Sequence, residues 1–301
     1  MKAREVKKRP IGRALAVATL VILAGGAYAV AGTLDEGGAA PSAKSFNWRN
    51  GPIWDDGNAE FCAYEVDWSR YGTLYPGRAL LILVKEPWAP DLEVKADRPR
   101  SDGFDVLKLN HVRDVPTGIY TYHQMASGFF RRDNFALRKL AVSSTEGCGI
   151  STAHVVDEKL ETRSYFDGQG ENTQDYPDGA HPEDMLAASL RDFISGTLPE
   201  SVSVLPSLMT GRFPSLDPKV YALSRRDGTR LVPAGEFEVT ELRLETGDDW
   251  LSYAFDRRAP HPLVEHTAAS GTTYRLSKCE RIPYWSLNRS GGEDWLPATV
   301  R

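Results

Sequence analysis

Cysteine, histidine and methionine are scarce in this 301-residue chain, which has three, six and four of them. The cysteines, Cys62, Cys148 and Cys279, are too far apart to pair as zinc ligands and too few to staple a disulfide scaffold, so both classes are excluded. An odd number leaves at least one thiol free or intermolecular. A Cys62–Cys279 bridge would tie the first strand of the fold to the last, although two buried thiols carry more weight on sequence alone. No Gly-x-Ser-x-Gly elbow occurs, so serine-hydrolase machinery of that kind lacks its nucleophile turn. No repeat of fixed period appears, which removes solenoids and propellers. With 41% hydrophobic and 26% charged residues, neither disorder nor a coiled coil fits the composition.

A net positive balance is also lacking outside the first thirteen residues, which hold six bases (Lys2, Arg4, Lys7, Lys8, Arg9, Arg13) and one acid, Glu5. The uncharged run from Ala14 to Leu34 follows, with small-x-small endings at Ala27-Tyr28-Ala29 and Ala29-Val30-Ala31. This is the pattern of an export signal over residues 1–31. Uncleaved, the run at 14–34 meets the roughly 20 residues a membrane span requires and would anchor the chain with the remainder outside. Residues 1–13 supply a net +5 to the whole-chain charge of −5, so the exported body carries −10. Nucleic acid and anionic membrane surfaces are poor partners for such a body.

Residues 32–45 have no apolar period and read as a flexible linker. From Phe46 a single β-rich domain is expected to run to the end, over 46–301. Short stretches of alternating apolar and polar residues recur between Gly, Pro, Asp and Asn, the signature of antiparallel strands. Cys62, Tyr64, Val66 and Trp68 share one face, and Ala79–Val84 is continuously apolar, as in a strand covered on both sides. Gly147-Cys148-Gly149 reads as a hairpin turn or bulge, and Asp227-Gly228 and Gly247-Asp248 as turns. Pro182-Glu183-Asp184-Met185 opens an amphipathic helix expected over about 182–195, and the prolines at 199, 206, 214 and 218 predict an irregular crossover after it. The fold class is therefore mainly β, an antiparallel half-barrel or sandwich with one helix packed on or into it.

Candidate chemistry is thin. Cys148 between two glycines is the best nucleophile, with His123 or His154 as base, against the alternative of a packed turn cysteine. His261 and His266 fall on opposite faces of a strand, and His111 shares a face with Leu107 and Leu109, where single histidines are usually structural. Asp167-x-Gln169-x-Glu171 lacks the glycine and closing glutamate of a calcium loop. No metal and no cofactor is implied. The aromatic hairpin around Tyr120 and Tyr122 can belong to the core or line a pocket, and Arg70, Tyr71, Lys108 and Asn110 are the polar residues chosen as binding candidates.

The blocks Trp54-Asp55-Asp56-Gly57-Asn58, Arg70-Tyr71-Gly72, Ala79-Leu80-Leu81-Ile82-Leu83-Val84, Val106-Leu107-Lys108-Leu109-Asn110 and Glu146-Gly147-Cys148-Gly149, in this order, resemble a family of bacterial envelope proteins of uncharacterised role. Members are often labelled septum formation inhibitor Maf. The resemblance covers about residues 47–170. Gly147 and Ile150 stand where the family has Trp and His. True Maf proteins are cytosolic nucleotide pyrophosphatases with a Ser-x-Ser-Pro-Arg-Arg start that this chain lacks, so no nucleotide chemistry is carried over. The resemblance implies an exported, membrane-anchored or periplasmic β-rich domain. The expected function is non-catalytic binding of an apolar, lipid-like ligand or of a partner protein in the envelope. The alternatives are a thiol-dependent hydrolase centred on Cys148 and a purely structural interaction module.

Overall fold

A computed structural model describes residues 47–296; the segment expected to be an export signal or anchor and the linker after it lie outside the described residues. The first half of the sheet is β1 (Ala59–Arg70), β2 (Thr73–Ala89), β3 (Val94–Lys95), β4 (Phe104–Thr117), β5 (Tyr120–Arg131), β6 (Leu137–Glu146), β7 (Gly149–Val156), β8 (Lys159–Arg163) and β9 (Glu171–Asp175). The second half is β10 (His181–Pro182), β11 (Ser201–Leu205), β12 (Lys219–Val232), β13 (Gly235–Thr246), β14 (Asp249–Asp256), β15 (Leu263–Ala268) and β16 (Thr273–Ile282). All belong to one open sheet in the order β10-β11-β12-β13-β14-β15-β16-β1-β2-β4-β5-β6-β7-β8-β9, with β3 beside β2. Only β10 and β11 pair in parallel.

The two edge strands, β9 and β10, are consecutive in the chain and joined by residues 176–180 alone. Such a link reaches about 22 Å at most. Laid flat, a sheet of this order would hold its edges roughly 65 Å apart. The sheet must therefore curl until its edges nearly meet, giving a barrel-like shell that does not close. The β9 edge is a short run of polar residues, Glu-Asn-Thr-Gln-Asp, which discourages edge-to-edge pairing.

Strand alternation sets the faces. Cys62, Tyr64, Val66 and Trp68 are buried inside the shell, as are Leu107 and Leu109. The apolar run at 79–84 is buried on both sides for a specific reason. Leu81 and Leu83 face the main core, while Ile82 and Val84 join Phe61 and Ala63 in a second cluster, packed against Tyr284, Trp295 and Leu296 of the C-terminal segment. Cys62 and Cys279 are directly paired across β1 and β16, with Cα atoms 4.0 Å apart, and their sulfurs are joined in a disulfide. The bridge closes 217 residues of chain, a restraint on the unfolded state of about 5 kcal/mol in the chain-entropy account.

The helical segment lies at the expected place but is not continuous. A 3-10 turn (Glu183–Met185) leads into α1 (Leu186–Ser189), and α2 (Asp192–Ser195) follows after a break. The break has a local cause: Arg191 Nε donates to the Ala187 carbonyl at 3.1 Å, taking the acceptor that a continuous helix would give to the Arg191 N–H, which turns to Ala188 O instead. Nor is the segment strongly amphipathic, because Met185, Leu186, Ala187, Ala188 and Leu190 are all buried inside the shell. Met185 presses on Gly128 of β5, where a Cβ would lie 2.3 Å from its sulfur.

Two other expectations need correction. Asp227-Gly228 is not a turn: β12 runs straight through it, pairing Asp227 with Thr240 and Gly228 with Val239, and Thr240 Oγ1 donates to the Asp227 carboxylate at 2.8 Å. The hairpin turns instead at Pro233–Ala234. Within the crossover expected after the helix, residues 201–205 form β11, and the irregular parts are 197–200 and 206–218.

Candidate functional site

The two ends of the shell are built differently. At the lower end, where β1 begins, residues 48–55 form two 3-10 turns that plug the opening. Trp48 stacks edge-on against Trp54 and Phe135 and donates to Asp192 at 2.7 Å. Arg49 also pairs with Asp192, Arg132 with Asp55, and Arg281 with Asp56. Arg191 makes two bonds to the carboxylate of Glu60, and both side chains are almost wholly buried.

The upper end gathers the turns at 71–72, 118–119, 147–148, 247–248 and 269–272, together with residues 206–218. That irregular stretch is stitched to the shell through its carbonyls. Met209 O accepts from Arg113 and Gln124, and Gly211 O accepts from Ser151 and Ser164. Gln169 clamps Phe213 by both backbone groups, at 2.6 and 3.0 Å.

Between this stretch, the helical segment and strands β1, β2, β4 and β14–β16 lies a cavity of about 580 Å³. Its apolar wall comes from Trp68, Leu81, Ala187, Phe213, Tyr253 and Leu263. Its polar wall is a connected network. His111 Nδ1 meets the Asp184 carbonyl at 3.2 Å, and a carbonyl only accepts, so the proton sits on Nδ1. Nε2 then accepts from the Tyr274 hydroxyl at 3.1 Å, whose oxygen accepts from Arg113 at 3.0 Å. Arg113 reaches Gln124 Oε1 through two further nitrogens, and Gln124 donates to Ser144.

Burial dominates the titration of these groups. It holds His111 down to about 3, with Arg113 adding to the effect, and His266 down to about 4. Both imidazoles are neutral. Glu183 is pushed up to about 7 by burial and by the neighbouring Asp184. Burial raises Asp184 also, against the pull of Ser207 and the Leu208 N–H, which donate to it at 2.5 and 2.8 Å.

The residues chosen from sequence separate into two groups. Arg70, Tyr71, Tyr120 and Tyr122 meet at the upper end. Tyr122 is buried against Trp68, and its hydroxyl lies 2.9 Å from that of Tyr71. Tyr71 itself sits at φ 53° in the tight β1–β2 turn with Gly72 at φ 74°, an unusual backbone for a tyrosine. Arg70 lies over the rings of Tyr71 and Trp68. Lys108 and Asn110 are on the opposite face of the sheet, where strand alternation puts them: Lys108 pairs with Glu86, and Asn110 accepts from Ser127.

Cys148 is exposed at the β6–β7 turn. Its flanking glycines do not have positive φ; they make room for rings. A Cβ on Gly147 would lie 2.2 Å from Tyr120, and one on Gly149 would lie 2.8 Å from Tyr165. A hydrogen bond to Cys148 raises the titration of the Tyr120 hydroxyl. Among the described residues neither candidate base hydrogen-bonds the thiol: His123 Nδ1 is engaged by Asp114, and His154 is five residues along β7 from Gly149, roughly 17 Å at strand spacing.

His111, Arg113, Glu183, Asp184, His266 and Tyr274 were not singled out as a site from sequence. The signal was present in part: in Leu107-x-Leu109-x-His111-x-Arg113-x-Val115 the parity of one strand places an imidazole and a guanidinium on the buried face. Among the described residues no group of three or more His, Cys, Asp or Glu is arranged to hold a metal, and no helix is long and apolar enough to cross a membrane.

No family model matches the chain, and no curated protein does. A solved structure does. It is a β-barrel-like protein of domain of unknown function DUF1849 from Brucella abortus, similar over 74% of this chain and 98% of that one, at 13% identity and a TM-score of 0.42.

Proposed function

We propose that this chain is an exported, non-catalytic protein of the bacterial envelope whose barrel-like shell carries an apolar, lipid-like ligand in the upper cavity. The observation that carries the reading is the cavity itself: about 580 Å³, inside the usual ligand-pocket range of about 300–1,000 Å³, with an apolar wall opposite a few convergent polar groups. The mouth supports it. Tyr71, Leu74, Ile119, Tyr120, Ile150 and Tyr165 are exposed at the same end, an apolar rim suited to collecting a ligand from a lipid surface. Export is supported by the basic start and uncharged run at 14–34, and by the Cys62–Cys279 disulfide, a bond favoured in oxidising compartments. Left uncleaved, that run would hold the protein at the inner membrane.

Native mass spectrometry of the full chain, released gently from the envelope, tests the reading. A lipid-sized mass that disappears on denaturation is the expected result. The denatured mass should also show loss of residues 1–29 or 1–31 if the signal is cleaved, or the intact chain if it anchors. A clean ligand-free mass would remove the carrier reading.

A further inference from the structure

We infer that the cavity selects an amphiphile with an acidic headgroup, a carboxylate or a phosphate, held by Arg70, Arg113 and Arg212 while its apolar tail lies against the inner wall. This deepens the carrier reading and rests on it. The body is acidic, yet the three arginines lining this cavity form no ion pair with any described carboxylate. Most other described arginines are paired; Arg225, for one, is not, but it spends its guanidinium on the carbonyls of Phe193, Ile194 and Gly196.

Two of the three converge on one ring. The Trp68 indole has the Arg113 guanidinium 4.7 Å and the Arg70 guanidinium 5.6 Å from its centroid. Arg113 is buried, and all its hydrogen bonds end on neutral acceptors: Gln124 Oε1, the Tyr274 hydroxyl and Met209 O. Arg70 Nε is buried with no acceptor among the described residues. Arg212 lies over Phe166 at 3.9 Å and lines the same cavity as Arg70. Aromatic faces hold Arg70 and Arg212 in place while leaving in-plane N–H edges available, the geometry that grips an oxyanion with two parallel bonds, whereas Arg113, with four of its five N–H groups already bonded, adds its charge and one remaining N–H.

The nearby acids answer this charge only from a distance: the Arg113 guanidinium draws down the titration of Asp184 and Glu183 without bonding either, and Glu146 at the mouth accepts from Tyr165 at 2.7 Å and pairs with neither Arg70 nor Arg212. Asp184 spends its oxygens on Ser207 and the Leu208 N–H, and Glu183 accepts from the Ser207 N–H. The histidines of the cavity are already committed to backbone carbonyls, Asp184 O for His111 and Ser252 O for His266. An anionic head entering beside Trp68 would therefore meet cations that no carboxylate directly pairs, and its tail would continue toward Leu81, Ala187 and Leu263.

The test is calorimetric titration of the purified full chain with dodecanoate, dodecyl phosphate and dodecanol, each below its micellar concentration. The tail is constant and only the head varies. At least tenfold tighter binding of either anion than of dodecanol is expected, and the tighter of the two anions identifies the head. In an Arg70→Gln/Arg212→Gln variant, checked for an unchanged circular dichroism spectrum, the anion-to-alcohol preference should fall to within about twofold. Dodecanol binding as tightly as the anions would overturn the headgroup assignment while leaving the carrier reading in place. Failure of all three to bind would overturn both. A variant that keeps the full preference would also overturn the assignment.

Discussion

The lower and upper ends of this shell contain similar residue types, aromatic rings and arginines, and use them in opposite ways. Below, every arginine that reaches inward has a carboxylate: Arg191 with Glu60, Arg49 with Asp192, Arg132 with Asp55. The rings there pack into a plug around Trp48 and Trp54. Above, Arg70, Arg113 and Arg212 lie over rings without an acid, and the plug is replaced by a cavity lined by backbone carbonyls and neutral imidazoles. An ion pair satisfied within the fold stabilises only the fold. A cation left on an aromatic face retains free energy for something that arrives later.

The comparison breaks most forcefully at Arg191. Arg191→Met removes two bonds to Glu60 and leaves a carboxylate buried without a partner, a situation that costs about 3–5 kcal/mol. It also frees the Ala187 carbonyl that Arg191 Nε holds. The denaturant midpoint should drop accordingly, and adding Glu60→Gln should recover part of the loss. A midpoint within 1 kcal/mol of the parent would mean that the lower plug does not depend on its charges.

Glu183 sharpens the comparison from the cavity side. Its carboxyl titrates at about 7 in the fold against an ordinary 4.5, so the folded protein keeps a proton that the unfolded chain has already released. The resulting stability is fully present below about pH 4.5 and lost as pH rises through 7. Glu183→Gln stays neutral throughout, and its carbonyl can still accept from the Ser207 N–H. Relative to the parent, the variant should gain nothing near pH 4 and on the order of 3 kcal/mol above pH 8. His111 and His266, held at about 3 and 4, act in the other direction: their contribution is present above 6.5 and lost as pH falls through those values. That acid loss is common to both proteins and cancels in the difference. Melting curves from pH 4 to 8.5 measure it, and a flat difference would place the proton elsewhere.

The β framework was legible because parity is a local property. Cys62, Tyr64, Val66 and Trp68 faced inward as alternation required, and the apolar run at 79–84 was covered twice because the C-terminal segment packs on the outer side. The curl of the sheet follows from the short link between β9 and β10, which no single strand pattern reveals. Asp227-Gly228 looked like a turn because those residues favour one, but eleven register pairs with β13 override the local preference. The broken helix turns on the Arg191 side chain folding back onto the Ala187 carbonyl, a competition for one acceptor that apolar spacing does not reveal. Of the site, Tyr120 and Tyr122 stand out in the sequence as an aromatic hairpin and Arg70 and Tyr71 as polar residues of a separate block, but that they meet at one corner is not legible there. Arg113, Glu183 and His266 were not legible as a site, because they come from β4, the interior segment and β15 and meet only when the sheet curls. Lys108 and Asn110 lie apart from that corner by the same parity: they alternate with Leu107 and Leu109 and so sit on the other face of the sheet.

The smallest predicted effect is the one that separates the two ends most cleanly. Arg212 is exposed, makes no ion pair among the described residues, and contacts the fold mainly through the face of Phe166 at 3.9 Å. A cation–π contact at an exposed site contributes about 0.5–1 kcal/mol. Arg212→Gln should therefore lower stability by no more than about 1 kcal/mol in the denaturant titration used for Arg191→Met. The backbone around it is secured independently, by Gly211 O accepting from Ser151 and Ser164 and by Gln169 gripping Phe213. If Arg212→Gln destabilised the protein as much as Arg191→Met, the upper arginines would be structural supports like the lower ones, and their lack of acidic partners would no longer point to a ligand.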